Sequence, residues 1–140
     1  MQTLLFVGAH PDDESFGPGG TLAEYALRGQ RVIYVCATRG EAGSADSEFM
    51  DGHETVAEMR TTELAAAAQA LGLAEVIHLG YRDSGMAGSA DNAHPQAQIH
   101  APLAEVAAQV VAVIRREKPD VIFTFDPIGG YRHPDHIHIH

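Results

Sequence analysis

The chain has 140 residues, 45% hydrophobic and 20% charged, which is the balance of one soluble globular domain with enough length to bury a core. Its formal charge is −10 and its Lys and Arg residues are scattered, which excludes the basic face that nucleic acid or an anionic membrane requires. A single cysteine, Cys36, excludes an internal disulfide and fits a reducing compartment; no apolar stretch is long enough to span a bilayer.

The opening MQTLLFVGAHPDDE has no basic segment ahead of its short apolar run, so it does not read as a signal peptide. The expected location is cytoplasmic. LLFVGA (Leu4–Ala9) reads as the first strand, because its hydrophobicity is nearly continuous rather than alternating, as in a strand covered on both faces. The glycines of SFGPGGT fit neither the dinucleotide fingerprint nor the P-loop and predict a tight turn into a helix. Thr21 and Glu24 form a capping box for that helix, and Gly29 is placed to end it.

RVIYVCAT (Arg31–Thr38) is the second strand, with Cys36 inside it as a buried core thiol rather than a nucleophile. Residues 40–53 are rich in Gly, Ser, Ala and Asp and resist assignment. Thr55 and Glu58 make a second capping box, opening an Ala-rich helix that runs to about Leu71 and Gly72. EVIHLG (Glu75–Gly80) is the third strand. Residues 81–101 are a second long irregular segment, and loops this long in a compact domain are often functional. A third helix begins near Pro102, with Leu103, Val106, Ala107, Val110, Val113 and Ile114 in one apolar stripe. DVIFTF (Asp120–Phe125) is the fourth strand. Three strand–helix–strand units imply right-handed βαβ crossovers. The predicted class is α/β: a Rossmann-like, doubly wound, mainly parallel sheet with helices on both faces.

Each chemically rich stretch follows a strand: AHPDDE the first, TRGEAGS the second, GYRDSGMAG the third and DPIGGYRHPDH the fourth. Ligands of open parallel sheets bind beyond the carboxyl ends of the strands, near the switch point, which the first and fourth strands flank. Those two carry His10-Pro11-Asp12-Asp13-Glu14 and His133-Pro134-Asp135-His136. Imidazole and carboxylate are the ligand types of catalytic zinc. One such cluster alone is better explained by a turn with a capping aspartate. Two, on neighbouring strands, favour a metal site. Of Asp12 and Asp13, one can ligate while the other faces a bound water.

AHPDDE and HPDH, in this order, resemble the LmbE-like or PIG-L family of zinc-dependent de-N-acetylases. RDSGMAG (Arg82–Gly88) and DPIGGYRHPDH (Asp126–His136) are similar to the branch containing a GlcNAc-inositol deacetylase and a thiol-conjugate amidase. The resemblance spans the chain but only part of the family's usual length. It implies one domain over residues 1–140, cut short at its C-terminal end, with an apolar edge exposed near the fourth strand.

Carried over motif by motif, the resemblance implies Zn2+ held by His10, Asp13 and His136; helical spacing, which puts His140 on the same face as His136, leaves His140 as an alternative ligand or a support for one. Asp12 would be the general base. His133 would be a charged imidazole that meets the oxyanion or protonates the amine, oriented by Asp135. Tyr131 would lie near the reacting carbonyl, and Arg60 and Asp83 would hold a sugar. Arg132 departs from the branch, which has a glycine before HPDH. Read from residue type alone, Arg60 is a solvated helix residue, Asp83 a turn cap and Tyr131 a packing residue. Glu14 and Glu41 lie near the expected site with no role assigned. The expected partner is a small amino-sugar-type substrate, neither nucleic acid nor membrane, with a homo-oligomer left open. The alternatives are a non-catalytic metal- or ligand-binding fragment, an amidase acting on thiol conjugates, and a hydrolase of another bond such as a phosphoester. The scarcity of cations around both clusters argues against the last.

Overall fold

The computed structural model describes residues 1–140. Strands β1 (Thr3–Gly8), β2 (Arg31–Cys36), β3 (Glu75–His78) and β4 (Val121–Phe123) form one sheet in the order β3-β2-β1-β4, every neighbouring pair parallel. Parallel pairing requires crossovers, and helices supply them: α1 (Asp13–Phe16) and α2 (Gly19–Leu27) between β1 and β2, α3 (Val56–Leu71) between β2 and β3, α4 (Leu103–Glu117) between β3 and β4. Two short helices follow β4, the irregular turn α5 (Gly129–Arg132) and α6 (Pro134–Ile139). No helix is long and apolar enough to cross a membrane.

Because side chains alternate across a strand, the sheet builds two cores. Leu5, Val7, Ile33 and Val35 pack with Val106 and Val113 of α4 and Ile139 of α6. Phe6, Val32, Tyr34 and Cys36 pack on the other face with Leu22 of α2 and Leu64 of α3. The sheet is therefore covered on both faces, as the continuous apolar runs of β1 and β2 predict.

Half of the Thr55 capping box is present: Thr55 accepts from the Glu58 backbone N–H, while the Glu58 carboxylate accepts from the Glu54 N–H rather than that of Thr55, and Gly72 ends α3 in the left-handed conformation at φ 73°. The capping box predicted at Thr21 is not. Pro18 occupies the N-cap of α2, so Thr21 already lies inside the helix and caps nothing. Proline supplies no N–H and has a nearly helical φ, which makes it a ready entry point three residues upstream. Leu103, read as part of the apolar stripe, is 65% exposed, because α4 turns only Val106 and Val113 fully into the core. β4 pairs with β1 alone, and Val121 and Ile122 on it are 47% and 44% exposed. With Ile128 and Ile137 also exposed, this is the apolar edge expected near the fourth strand.

Candidate active site and metal centre

The sheet order makes β1 and β4 neighbours, so the segments leaving their carboxyl ends meet. His10, Asp13, His133, Asp135 and His136 are all buried there, and Asp83 joins them from the loop after β3. His10 Nδ1 lies 3.1 Å from His136 Nε2, His136 Nε2 is 3.3 Å from Asp13 Oδ1, and His10 Nδ1 is 3.8 Å from Asp13 Oδ2. The three expected metal ligands thus converge. Ring nitrogens of His10, His133 and His136 also lie within 4.8 Å of one another, as do a ring nitrogen or carboxylate oxygen from each of His10, Asp83, His133 and Asp135. His140 does not take part. It is exposed, with Nδ1 against the Phe125 carbonyl, 2.8 Å away.

The second atom of each ligand is occupied. Asp13 Oδ2 accepts from the backbone N–H groups of Ala9 and His10 at 2.9 and 2.8 Å, which turns Oδ1 toward His136. His136 Nδ1 can donate to the Gly129 carbonyl at 3.2 Å, leaving the Nε2 lone pair to face Asp13, and the ring stacks on Phe125 at 3.8 Å. His10 Nε2 pairs with Asp135 Oδ2 at 3.1 Å, so Nδ1 is left for His136. These outer partners are the kind that set the tautomer of a ligating histidine.

This donor set fits a cation. Two imidazole lone pairs 3.1 Å apart repel unless a proton or a metal ion lies between them. The surroundings also demand positive charge. Burial acts to lower the His10 pKa, yet hydrogen bonds to Asp135 and Asp83 and the charges of Asp83 and Asp13 push it up to about 10. Asp135 Oδ1 is buried without any partner.

Asp12 stands beside this cluster in an unusual conformation. It occupies the N-cap of α1 with φ 122° and ψ −26°, and its side chain makes no capping bond. The carboxyl instead meets Arg60 Nη2 at 2.6 Å, and Arg60 Nη2 also donates to the Pro11 carbonyl. Burial raises the Asp12 pKa, and Arg60 only partly opposes this. Arg60, expected to hold a sugar, therefore grips the residue expected to act as base, forty-eight positions away in sequence.

Two other expectations need correction. The carboxyl of Asp135 is bonded to His10 and to the Ser84 backbone N–H, not to His133. What reaches His133 from Asp135 is its backbone N–H, which donates to His133 Nδ1 at 3.2 Å as the N-cap bond of α6. His133 is also not the charged imidazole expected. Burial and the neighbouring His10 lower its pKa to about 4 despite Asp135 and Asp83. With Nδ1 accepting, the neutral ring carries its proton on Nε2, which lies 4.0 Å from Asp83 Oδ1. Asp83 is held low against its burial by a hydrogen bond and charge from His10.

Tyr131 is 64% exposed, with its ring centre 6.1 Å from that of His133. With His10, Asp12, Arg60, Asp83 and His133 it lines a cavity of about 330 Å3. A larger hollow of about 640 Å3 lies on the other side of the Arg60–Asp12 pair, lined by Phe16, Phe49, Met59 and Leu64. Asp12 and Arg60 line it too, but none of the histidines does. Arg132 adopts φ 69°. The left-handed region is free of cost only for glycine, so Arg132 is strained here.

Residue-level reading missed three supports. The Tyr34 hydroxyl donates to the His10 carbonyl at 2.6 Å, and a lone phenol inside an otherwise apolar strand was its only signal. Ser84 and Glu14, both buried, bind Asp135 and Asp12 in turn.

Residues 5–140 match the model of the PIG-L family, described as GlcNAc-PI de-N-acetylase. The chain is 43% identical to a 1D-myo-inositol 2-acetamido-2-deoxy-alpha-D-glucopyranoside deacetylase of Kineococcus radiotolerans, over 98% of this chain and 42% of that protein. It is 45% identical to the protein of the same name from Acidothermus cellulolyticus, over 100% of this chain and 51% of the relative. Among solved structures it is similar to N,N'-diacetylchitobiose deacetylase from Pyrococcus horikoshii, with TM-score 0.76 and 31% identity, covering 99% of this chain and 46% of that one. The chain spans about half the length of the curated relatives it matches.

Proposed function

The chain belongs to the PIG-L family, and from that premise we propose that residues 1–140 are a deacetylase domain that hydrolyses the acetamide of a small N-acetylglucosamine-containing molecule. The observation that carries this reading is the close approach of His10, Asp13 and His136, with His10 and Asp12 lining the same cavity. The names of the relatives, GlcNAc-inositol deacetylases, support an amino-sugar substrate.

His10, Asp13 and His136 would hold the metal, for which two imidazoles and a carboxylate suit zinc. When bound, that ion supplies Lewis acidity and makes water acidic enough to be used as a nucleophile near neutral pH. Asp12 takes the proton from the attacking water as its oxygen bonds to the acyl carbon. Its raised pKa suits a group that must keep this proton until the amine leaves. Asp12 then delivers the proton to the nitrogen as the C–N bond breaks. Neutral His133 donates its Nε2–H to the carbonyl oxygen as negative charge gathers there. Asp135 holds His10 in the tautomer that leaves Nδ1 free. Arg60 holds Asp12, while Asp83 and Tyr131, at the cavity wall, contact the sugar and the acyl group.

The test is a deacetylation screen of the protein on GlcNAc, GlcNAc-inositol and thiol conjugates, with zinc and with a chelator. Release of acetate from an N-acetylglucosamine compound, abolished by chelation and restored by zinc, is expected. Stoichiometric zinc with no turnover on any of them would instead leave a metal-binding module.

A further inference from the structure

Aspartate at an N-cap ordinarily turns its side chain into the helix and accepts from the N2 or N3 backbone N–H. Asp12 does not, because φ 122° swings its side chain away from α1 and into the cavity wall. Such a φ is strained for a residue with a Cβ and persists only where the surroundings over-determine it. The Asp12 carbonyl is fixed in the usual way, accepting from Ser15 and Phe16 N–H at 2.8 and 2.9 Å. Its N–H needs a separate partner.

Glu14 provides it. This residue is 1% exposed, next in sequence to Asp13 and two positions after Asp12. Its Oε2 accepts from the Asp12 N–H at 2.9 Å, and its Oε1 accepts from the Ser15 hydroxyl at 2.6 Å. This is the backward half of a capping box, in which a side chain in the first turn reaches to the N-cap N–H. The forward half is missing because the N-cap side chain is committed to the cavity.

We propose that Glu14 is a positioning residue that holds the Asp12 backbone in its left-handed conformation and so aims the Asp12 carboxyl at the reacting atoms. It touches neither substrate nor metal and acts only through Asp12. The inference rests on Asp12 being the base of the reaction proposed above. Arg60 fixes the carboxyl end of Asp12 and Glu14 the backbone end, so the two constraints are distinct.

The test uses Glu14→Ala, Glu14→Gln and Asp12→Asn, with Glu14→Ala combined with Asp12→Asn, in the zinc-loaded protein. Glutamine still offers an oxygen to the Asp12 N–H and an amide to the Ser15 hydroxyl, so Glu14→Gln should keep most of the activity. Glu14→Ala should lower kcat by about 10²-fold, the scale of a misplaced reacting group, with KM and zinc content near wild type. In the Asp12→Asn background it should cost almost nothing further, because its only route to the reaction has been removed. If Glu14→Ala does not fold, Glu14→Met fills the volume while offering no acceptor and takes its place. The second readout is independent of turnover. The Asp12 amide should exchange its hydrogen at least tenfold faster in Glu14→Ala than in wild type or Glu14→Gln. Wild-type kcat in Glu14→Ala, a loss that multiplies with that of Asp12→Asn, or unchanged amide exchange would each overturn the proposal. If wild type turns over no N-acetyl sugar, the proposed function fails, and the exchange measurement still decides whether Glu14 holds Asp12.

Discussion

Asp12 and Asp13 have the same side chain, yet replacing them should have separable effects. Asp13 Oδ2 accepts from two backbone N–H groups at 2.9 and 2.8 Å, and Oδ1 faces His136. Asp13→Ala therefore strands two buried donors, at about 1–3 kcal/mol each. The sum, about 2–6 kcal/mol, is a large part of a typical total stability of about 5–15 kcal/mol. Asp13→Asn is the cleaner probe, since its oxygen can keep both N–H bonds while its amide meets His136. Zinc content and turnover should be lost together, with much less loss of stability. Asp12→Asn leaves His10, Asp13 and His136 intact. Its bond to Arg60 involves a carboxyl that is 40% exposed, so the stability change should stay below about 1 kcal/mol. Zinc should remain near one per chain while kcat falls by about 10²–10⁴. The assays are metal analysis after dialysis against zinc, urea unfolding with chelator, and acetate release. Loss of zinc in Asp12→Asn with retention in Asp13→Asn would show that ligand and base are exchanged. Full activity in Asp12→Asn would remove the general base from the mechanism.

A Cβ added at Gly129 would lie 2.8 Å from His136 Cβ and 2.9 Å from the Ile137 backbone nitrogen, and Gly129 is at φ 66°. Gly129→Ala should displace His136 and lower zinc affinity by at least tenfold in a competitive chelator titration. Arg132→Gly relieves a left-handed conformation and should leave thermal stability equal or raised by about 1 kcal/mol, with activity retained. In chelator-treated protein the folded-state pKa of His10 is raised from 6.5 to about 10, against burial, by Asp135, Asp83 and Asp13. Its contribution to stability is therefore complete below pH 6.5 and is lost as pH rises through about 10. Urea unfolding from pH 6.5 to 10 should show this decline in wild type and a shallower one in His10→Asn.

The strands were legible because a strand covered on both faces must be apolar along its whole length, and Leu4–Ala9 and Arg31–Thr38 are. The helix starting at Thr55 was legible for a local reason: its cap and its first turn are three residues apart. The two His–Asp clusters were visible as short motifs, and parallel-strand topology was enough to bring His10 within reach of His136, 126 residues away. Sequence could not assign partners within the cluster. Asp135 lies two residues from His133 but gives its carboxyl to His10, because α6 turns it inward beneath the β1 loop. Arg60 reads as a solvated helix residue, and only the packing of α3 beside the β1 loop aims it at Asp12. The neutral ring of His133 follows from its burial and from the Asp135 N–H that its Nδ1 accepts, and neither is a property of HPDH as a string. The Asp12 backbone is the sharpest case. Nothing in the letters Asp-Asp-Glu states that the first residue will adopt φ 122°, because such strain persists only where surroundings hold it, here a buried Glu14 on its N–H and Arg60 of α3 on its carboxyl. Short-range patterns picked out the two His–Asp clusters, and tertiary contacts decided which atom of each residue meets which partner.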